Sequence, residues 1–223
     1  MADDINPYRS PAIANSASVT TLVPLRRIWV FFVGAILGCL SFIVAIAFVP
    51  SDLASPAQHD LLLANYLGFV FPPLVGLWSG MVRRSWWWSG TGFTIGLAIG
   101  AAYRVLCGND FLAVMVAFPC LLGGAASVAL GTGARSSFDG ILVRLGKGLL
   151  AGLELGFVYM VVLNVMGIAW IPIDSTAEYH RMMWQNGPVA MSIASGFYLV
   201  LFVWASNLKR VVIAKPEERH HAP

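Results

Sequence analysis

Six apolar runs divide this sequence, and they constrain its fold more than any other feature. They lie near residues 28–49, 61–82, 86–107, 111–133, 146–171 and 188–208. A helix needs about 20 residues to cross the hydrocarbon core of a bilayer. Of all residues 58% are hydrophobic and only 11% are charged, whereas a soluble domain carries about 25% charged residues. The sequence therefore predicts an all-α integral membrane protein, a bundle of six transmembrane helices in contact with the lipid bilayer.

The basic residues predict the orientation of this bundle. All 14 lysines and arginines except Arg104 and Arg181 fall before span one, between spans two and three, between spans four and five or at the second residue of span five (Lys147), or after span six. Because Lys and Arg accumulate in cytoplasmic loops, both termini are expected in the cytoplasm. Residues 1–27 and 209–223 are then cytoplasmic tails, the first of them disordered, and residues 28–208 form the membrane domain.

The connections between the runs leave no room for a soluble catalytic domain. Only the predicted outer loops 50–60 and 172–187 and the predicted inner loop 134–145 have any extent. No predicted span contains a histidine that could activate a serine, and the HExxH motif of metalloproteases is absent. We therefore expect no enzyme activity and no cofactor.

Two glycine-rich segments imitate nucleotide-binding motifs without their context. The pattern G-x-G-x-x-x-G in span three has the wrong spacing for a dinucleotide site and follows no strand, and "GILVRLGKG" (140–148) is one residue too long for a P-loop. We expect neither a nucleotide site nor nucleic-acid binding.

One of these segments recurs along the chain. "GTGFTIGLAIGAAY" (90–103) and "GKGLLAGLELGFVY" (146–159) share four glycines, a leucine and a tyrosine in the same order without a gap. One interpretation is a duplicated hairpin, in which spans 3–4 and 5–6 are parallel repeats of the kind that some transporters contain. The other is convergence, since glycine at every fourth position is a common device for packing membrane helices.

Either interpretation predicts close helix packing. Small residues four apart allow two helix backbones to approach each other. The predicted packing stripes are Gly92, Gly96 and Gly100 in span three, and Gly148, Gly152 and Gly156 in span five. A tight bundle follows, and such stripes also suit a homo-oligomer or association with other membrane subunits.

Glu154 is the first candidate site residue, because it lies within the apolar run of span five. It is about eight residues from the start of that run, or about 12 Å deep, on the face roughly opposite the glycine stripe. A carboxylate at that depth indicates a functional site, because leaving it ionised in lipid costs several kcal/mol. The alternative is local: Lys147 lies two helical turns back on nearly the same face and could pair with it.

Three further features of the spans are candidates. Pro72 and Pro73 remove two backbone donors in the middle of span two, and such breaks occur both at transport sites and as simple bends. Arg104, near the outer end of span three, could reach the surface or pair with an outer aspartate. Asn164 in span five is expected to hydrogen-bond to a neighbouring helix.

Four polar residues of the predicted outer loops form a further candidate. His59-Asp60 and Glu178-x-His180 would make a metal-binding or pH-sensing cluster if the two loops met. No sequence pattern brings the two loops together.

The tail carries the only resemblance to other proteins. "NPYRSP" (6–11) resembles the NPYxSP tag near the start of many uncharacterised bacterial multi-pass membrane proteins, notably planctomycetal ones. The resemblance covers only the tag. It implies a bacterial origin and a cytoplasmic tail, and no activity is attached to it. Together with the predicted spans, this makes the cytoplasmic (inner) membrane the expected location.

These features favour a small transporter- or channel-like protein, or a membrane subunit of such an assembly. In this interpretation Glu154 is the polar centre and the Pro72-Pro73 break is the wall of a cavity. The alternative is a structural or interaction protein whose polar residues only organise the bundle.

Overall fold

The computed structural model describes residues 27–82, 86–107, 138–167, 175–206 and 208. All regular structure in these residues is helical, and five helices are present among them. They are α1 (Arg27–Ala47), α2 (Pro56–Val82), α3 (Trp86–Cys107), α4 (Phe138–Val165) and α5 (Thr176–Ser206). Helices α1, α2 and α5, together with the part Gly140–Val165 of α4, are long and apolar enough to cross a membrane. The predicted helical membrane protein is confirmed at this level.

The fourth predicted span, 111–133, lies outside the described residues, as do most of the tail 1–27 and the whole of the tail 209–223. Helix α3, the predicted span three, is not among the helices that are long and apolar enough to cross a membrane, so the count of six spans stays a prediction. Helices α1, α2, α3, α4 and α5 correspond to predicted spans one, two, three, five and six.

Four helix ends differ from the predicted span limits. Helix α2 begins at Pro56, α4 begins at Phe138 and ends at Val165, and α5 begins at Thr176. Parts of the predicted loops 50–60, 134–145 and 172–187 are therefore helical. The apolar runs mark the bilayer-crossing segment, whereas a helix, once nucleated, continues into polar sequence at little cost.

The described helices pack in a definite order. Helix α5 packs against both α1 and α4, and α2 packs against both α3 and α1. One apolar core joins them, and its largest fully buried side chains include Phe42, Phe71, Tyr198 and Phe202. Many large apolar side chains elsewhere are exposed, as is expected of helices whose outer surface faces lipid rather than water.

Glycines place α2 and α3 in backbone contact. A β-carbon added to Gly92 would meet the carbonyl oxygen of Gly76, and one added to Gly76 would meet that of Gly92. Further along, Gly96 lies against Pro72, and Gly100 against Gly68. The two helices run antiparallel along this seam, which repeats at every fourth residue as in other small-residue membrane interfaces.

A second close contact joins α1 to α5. Gly34 and Gly38 of α1 lie against Ser195 of α5, and the Ser195 hydroxyl donates a hydrogen bond of 2.8 Å to the carbonyl oxygen of Gly34. Ser195 is fully buried. Its hydroxyl is thus part of a helix–helix contact.

Candidate functional site

Glu154 lies on the face of α4 that packs against α5. The Glu154 side chain is half-buried, and its charge acts on the phenol of Tyr198, a fully buried residue of α5. Both carboxylate oxygens are buried, and neither accepts a hydrogen bond from a residue that the structure describes. The buried hydroxyl of Tyr198 likewise has no hydrogen-bond partner among the described residues. Two buried polar groups without a hydrogen-bond partner among the described residues are therefore found on the two helices of the α4–α5 contact.

Lys147 does not pair with Glu154, as one interpretation of the sequence proposed. Its ammonium nitrogen lies over the indole ring of Trp204, 4.5 Å from the ring centroid. Trp204 is near the end of α5 and Lys147 is near the start of α4, so the contact joins the predicted cytoplasmic ends of the two helices. This cation–π interaction explains the position of Lys147 without the carboxylate.

The Pro72-Pro73 pair packs against a neighbouring helix. Helix α2 runs without interruption through both prolines, and both are buried. Gly96 of α3 lies against Pro72 and Pro73, and Gly100 lies against the carbonyl oxygen of Gly68. Pro72 deprives that carbonyl of its helical donor, and the approach of Gly100 places a Cα–H group beside it, an arrangement common between membrane helices. The face of α2 at the prolines is thus closed by α3, whereas the sequence interpretation made it a cavity wall.

Asn164 and Arg104 are both exposed. The Asn164 side chain donates a hydrogen bond of 2.8 Å to the Met160 carbonyl oxygen of its own helix and is exposed. The expected bond from Asn164 to another helix was therefore wrong. Arg104 is in the last turn of α3, where its side chain is exposed.

The predicted outer ends of α2 and α5 meet, although no sequence pattern indicated it. His59 Nε2 lies 2.9 Å from His180 Nδ1, and the Tyr179 hydroxyl donates a hydrogen bond of 2.7 Å to Asp60 Oδ1. The indole N–H of Trp184 donates one of 2.9 Å to His180 Nε2. We call His59, Asp60, Tyr179, His180 and Trp184 the outer cluster.

The outer cluster lies beyond the hydrocarbon-crossing part of its helices. Helix α5 has 31 residues and is therefore about 46 Å long, whereas the hydrocarbon core is about 30 Å thick. The excess is at its polar start, since Glu178 and Arg181, the only charged residues of α5, lie there. His59 and Asp60 are likewise in the first turns of α2.

Burial and charge fix the protonation preferences of this cluster. Burial raises the pKa of Tyr179, and the Asp60 carboxylate that its hydroxyl contacts raises it further. Tyr179 is therefore a stable hydrogen-bond donor. Burial also lowers the pKa of His180 below its ordinary value, and the neighbouring His59 adds to this effect. The neutral form of His180 is favoured in the folded protein.

The ligands for a metal ion are not assembled at the outer cluster. Within the ranges that the structure describes, no group of three His, Cys, Asp or Glu side chains is arranged to hold a metal ion. Of the two roles that the sequence left open for these residues, the described geometry suits proton binding.

A tyrosine lies between the outer cluster and Glu154. The Asp60 carboxylate acts electrostatically on the phenol of Tyr159 in α4. Tyr159 is about 7.5 Å beyond Glu154 along α4, at 1.5 Å per residue. Asp60, Tyr159 and Glu154 thus lie at successive depths from the predicted outer surface into the bundle.

The chain matches no family model, and neither the curated proteins nor the solved structures contain a significant match to it.

Proposed function

We propose that this chain is a small transporter- or channel-like protein of the bacterial inner membrane, or a membrane subunit of such an assembly, in which Glu154 binds a proton or a cation. Both termini lie in the cytoplasm in this proposal. It includes no catalytic activity.

The observation that carries the proposal is the pair of buried Glu154 oxygens, which lack a hydrogen-bond donor among the described residues. A buried carboxylate without a partner is costly, and in native proteins such groups commonly have a functional reason. A proton on the carboxylate removes its charge. A cation bound at Glu154 would compensate its charge instead.

Two further contacts support this role. Lys147 is engaged with Trp204 and is not the counter-ion of Glu154. Tyr159 and Asp60 supply polar groups on the side of the predicted outer surface, and a proton or cation would need such groups to reach Glu154 from outside. Intramembrane carboxylates of this kind occur in ion and proton pathways.

The test is transport in proteoliposomes that contain the purified protein and a pH-sensitive dye. We expect wild-type protein to move protons, or a cation together with them, under an imposed gradient. Glu154→Gln should abolish this movement, because the amide has nearly the same shape but cannot ionise. Asp52→Asn is the matched control, since it removes an exposed carboxylate outside the predicted spans, and it should leave transport unchanged.

Two outcomes would contradict the proposal. Wild-type protein that moves neither protons nor cations under any gradient would exclude transport, and a Glu154→Gln variant with wild-type activity would place the site elsewhere. A periplasmic reporter that is active when fused after Arg84 would overturn the proposed orientation.

The second candidate is a structural or interaction membrane protein without transport activity. The backbone contacts between α2 and α3 favour it, because they close the face at Pro72 and Pro73 where the sequence allowed a cavity. Such a protein would use its surface small residues to join copies of itself or other membrane subunits. Glu154→Gln would then change the stability of the protein and no transport rate.

A further inference from the structure

The hydrogen-bond partners of the outer cluster determine where its protons are. An indole N–H can only donate, so His180 Nε2 accepts from Trp184 and carries no proton. Neutral His180 must then be protonated at Nδ1, and this N–H donates to His59 Nε2. His59 Nε2 is thus an acceptor, and neutral His59 carries its proton at Nδ1. This Nδ1 lies 3.7 Å from Asp60 Oδ1.

The arrangement is a chain of donors with one direction. It runs from Trp184 through His180 and His59 toward the Asp60 carboxylate, which also accepts from Tyr179. His59 is fully buried, and its Nδ1 has no hydrogen-bond partner within hydrogen-bonding distance among the described residues. The chain therefore ends at a buried N–H directed toward a carboxylate that is slightly too far for a hydrogen bond.

We propose that the His59–His180 pair is a proton-binding site at the predicted outer surface and that uptake of one proton breaks the hydrogen bond between Trp184 and His180. The ligand is the proton itself. The neutral pair holds Trp184, and the protonated pair releases it.

The release follows wherever the proton is placed. If His59 is the cation, both its nitrogens are donors, so His180 Nδ1 must accept and His180 must carry its own proton at Nε2. If His180 is the cation, its Nε2 is protonated directly. In either state Nε2–H of His180 opposes the indole N–H of Trp184, and two donors cannot bond to each other. The Asp60 carboxylate lies at ion-pair distance from His59.

The charged and titratable neighbours on each helix are few. Asp60 faces His59 from α2, and Tyr179 faces it from α5 with the two rings edge to face. From α4, Tyr159 interacts with Asp60. Glu178 and Arg181 flank the pair on α5. Asp60 is thus the described anion closest to the site.

The lowered pKa of His180 fixes the direction of the pH effect. The folded protein binds the proton less readily than an unfolded histidine, so the stabilisation by the neutral pair is present above about pH 6.5. It is lost as the pH falls below that value, when the unfolded state takes up more protons than the folded state. The contact between α2 and α5 should therefore loosen in acid.

The inference does not depend on the proposed transport function, because it concerns the hydrogen bonds of the outer cluster and not Glu154. A transport-inactive protein could still bind a proton here, and the measurements below require no gradient.

The first test uses the full-length chain in lipid nanodiscs with ¹⁵N-labelled histidine and tryptophan. His220→Ala and His221→Ala leave His59 and His180 as the only histidines. At pH 8 both should be in the Nδ1–H tautomer. Between pH 8 and pH 5 the Trp184 indole N–H signal, identified by its absence in Trp184→Phe, should shift with the titration of the pair. An Nε2–H tautomer for either histidine at pH 8 would overturn the proposal. So would a Trp184 indole signal whose chemical shift stays unchanged while the histidine pair titrates.

The second test measures how the Trp184 hydrogen bond affects proton binding by the His59–His180 pair. Trp184→Phe removes the donor that selects the neutral pair, so the apparent pKa of the pair should rise by about half a unit to one unit, the equivalent of one net hydrogen bond. Trp87→Phe, which changes an exposed tryptophan on α3, should leave this pKa unchanged. A pKa that stays the same or falls in Trp184→Phe would contradict the coupling.

Discussion

Helices α3 and α4 carry the same glycine pattern in different surroundings. In α3 the glycines Gly92, Gly96 and Gly100 lie against the backbone of α2. At the position of Ala98, which is exposed in α3, α4 has Glu154, whose carboxylate oxygens are buried near Tyr198. The shared tyrosine also differs, since Tyr103 is fully buried whereas Tyr159 is half-buried and interacts with Asp60.

This difference separates two properties of the pattern. Glycine at every fourth residue permits a close approach of backbones, and α3 uses it in this way. The residues between the glycines determine which other contacts the helix makes. In α4 they include a carboxylate and a lysine on the side of α5 and a tyrosine on which Asp60 of α2 acts electrostatically. The remaining half of the first predicted repeat, span four, lies outside the described residues, so duplication and convergence both remain interpretations.

The largest effect is expected at the α2–α3 seam. Gly92→Leu should lower the free energy of unfolding by about 3 kcal/mol, because its side chain would meet the backbone of Gly76, which cannot move aside as a flexible side chain can. Reversible unfolding in mixed lipid–detergent micelles measures this change.

The matched control for this substitution is on the same helix. A β-carbon on Gly90 meets nothing within 4 Å, so Gly90→Leu should be neutral or slightly stabilising. Equal destabilisation by both variants would show that the loss comes from any larger side chain in α3 and not from the seam.

The sequence predicted the helical class and the close packing of α3 well, because both depend on local patterns. The stripe of Gly148, Gly152 and Gly156 stays a prediction. Apolar runs of membrane length predicted the helices, and glycine spacing predicted which face of α3 permits close approach. Helix ends were predicted less well, as at Pro188, where the apolar run begins but α5 has already begun at Thr176. Composition marks the boundary of the bilayer, whereas the hydrogen bonds of a helix can continue beyond it.

The candidate site was only partly predictable. Glu154 was evident, since a single carboxylate in an apolar run requires an explanation wherever the helix packs. Its surroundings depended on the partner helix: Lys147 contacts Trp204, and Asn164 bonds to its own helix. His59 and His180 are separated by 121 positions, and only the packing of α2 near α5 brings them together.

An intermediate effect on stability is expected at Glu154, which occupies the position of Ala98 in the pattern of α3. Glu154→Leu should raise the free energy of unfolding by about 2 kcal/mol, because it removes a buried carboxylate that no described residue satisfies. Ala98→Leu, at the corresponding exposed position of α3, should be close to neutral. The same unfolding measurement applies, and a loss of stability in Glu154→Leu would show that a cationic or hydrogen-bonding partner holds the carboxylate.

The smallest effect is expected at the start of the α4 pattern, where Lys147 occupies the position of Thr91 in α3. Lys147→Gln should lower the free energy of unfolding by about 0.5–1 kcal/mol, the value of an exposed cation–π contact. Lys147→Arg keeps a cation over the Trp204 ring and should retain most of the stability. If Glu154 were the true partner of Lys147, Lys147→Gln would be much more damaging in wild-type protein than in Glu154→Gln. Because the lysine contacts Trp204 instead, we expect the two substitutions to be additive within about 0.5 kcal/mol, as they are for independent sites.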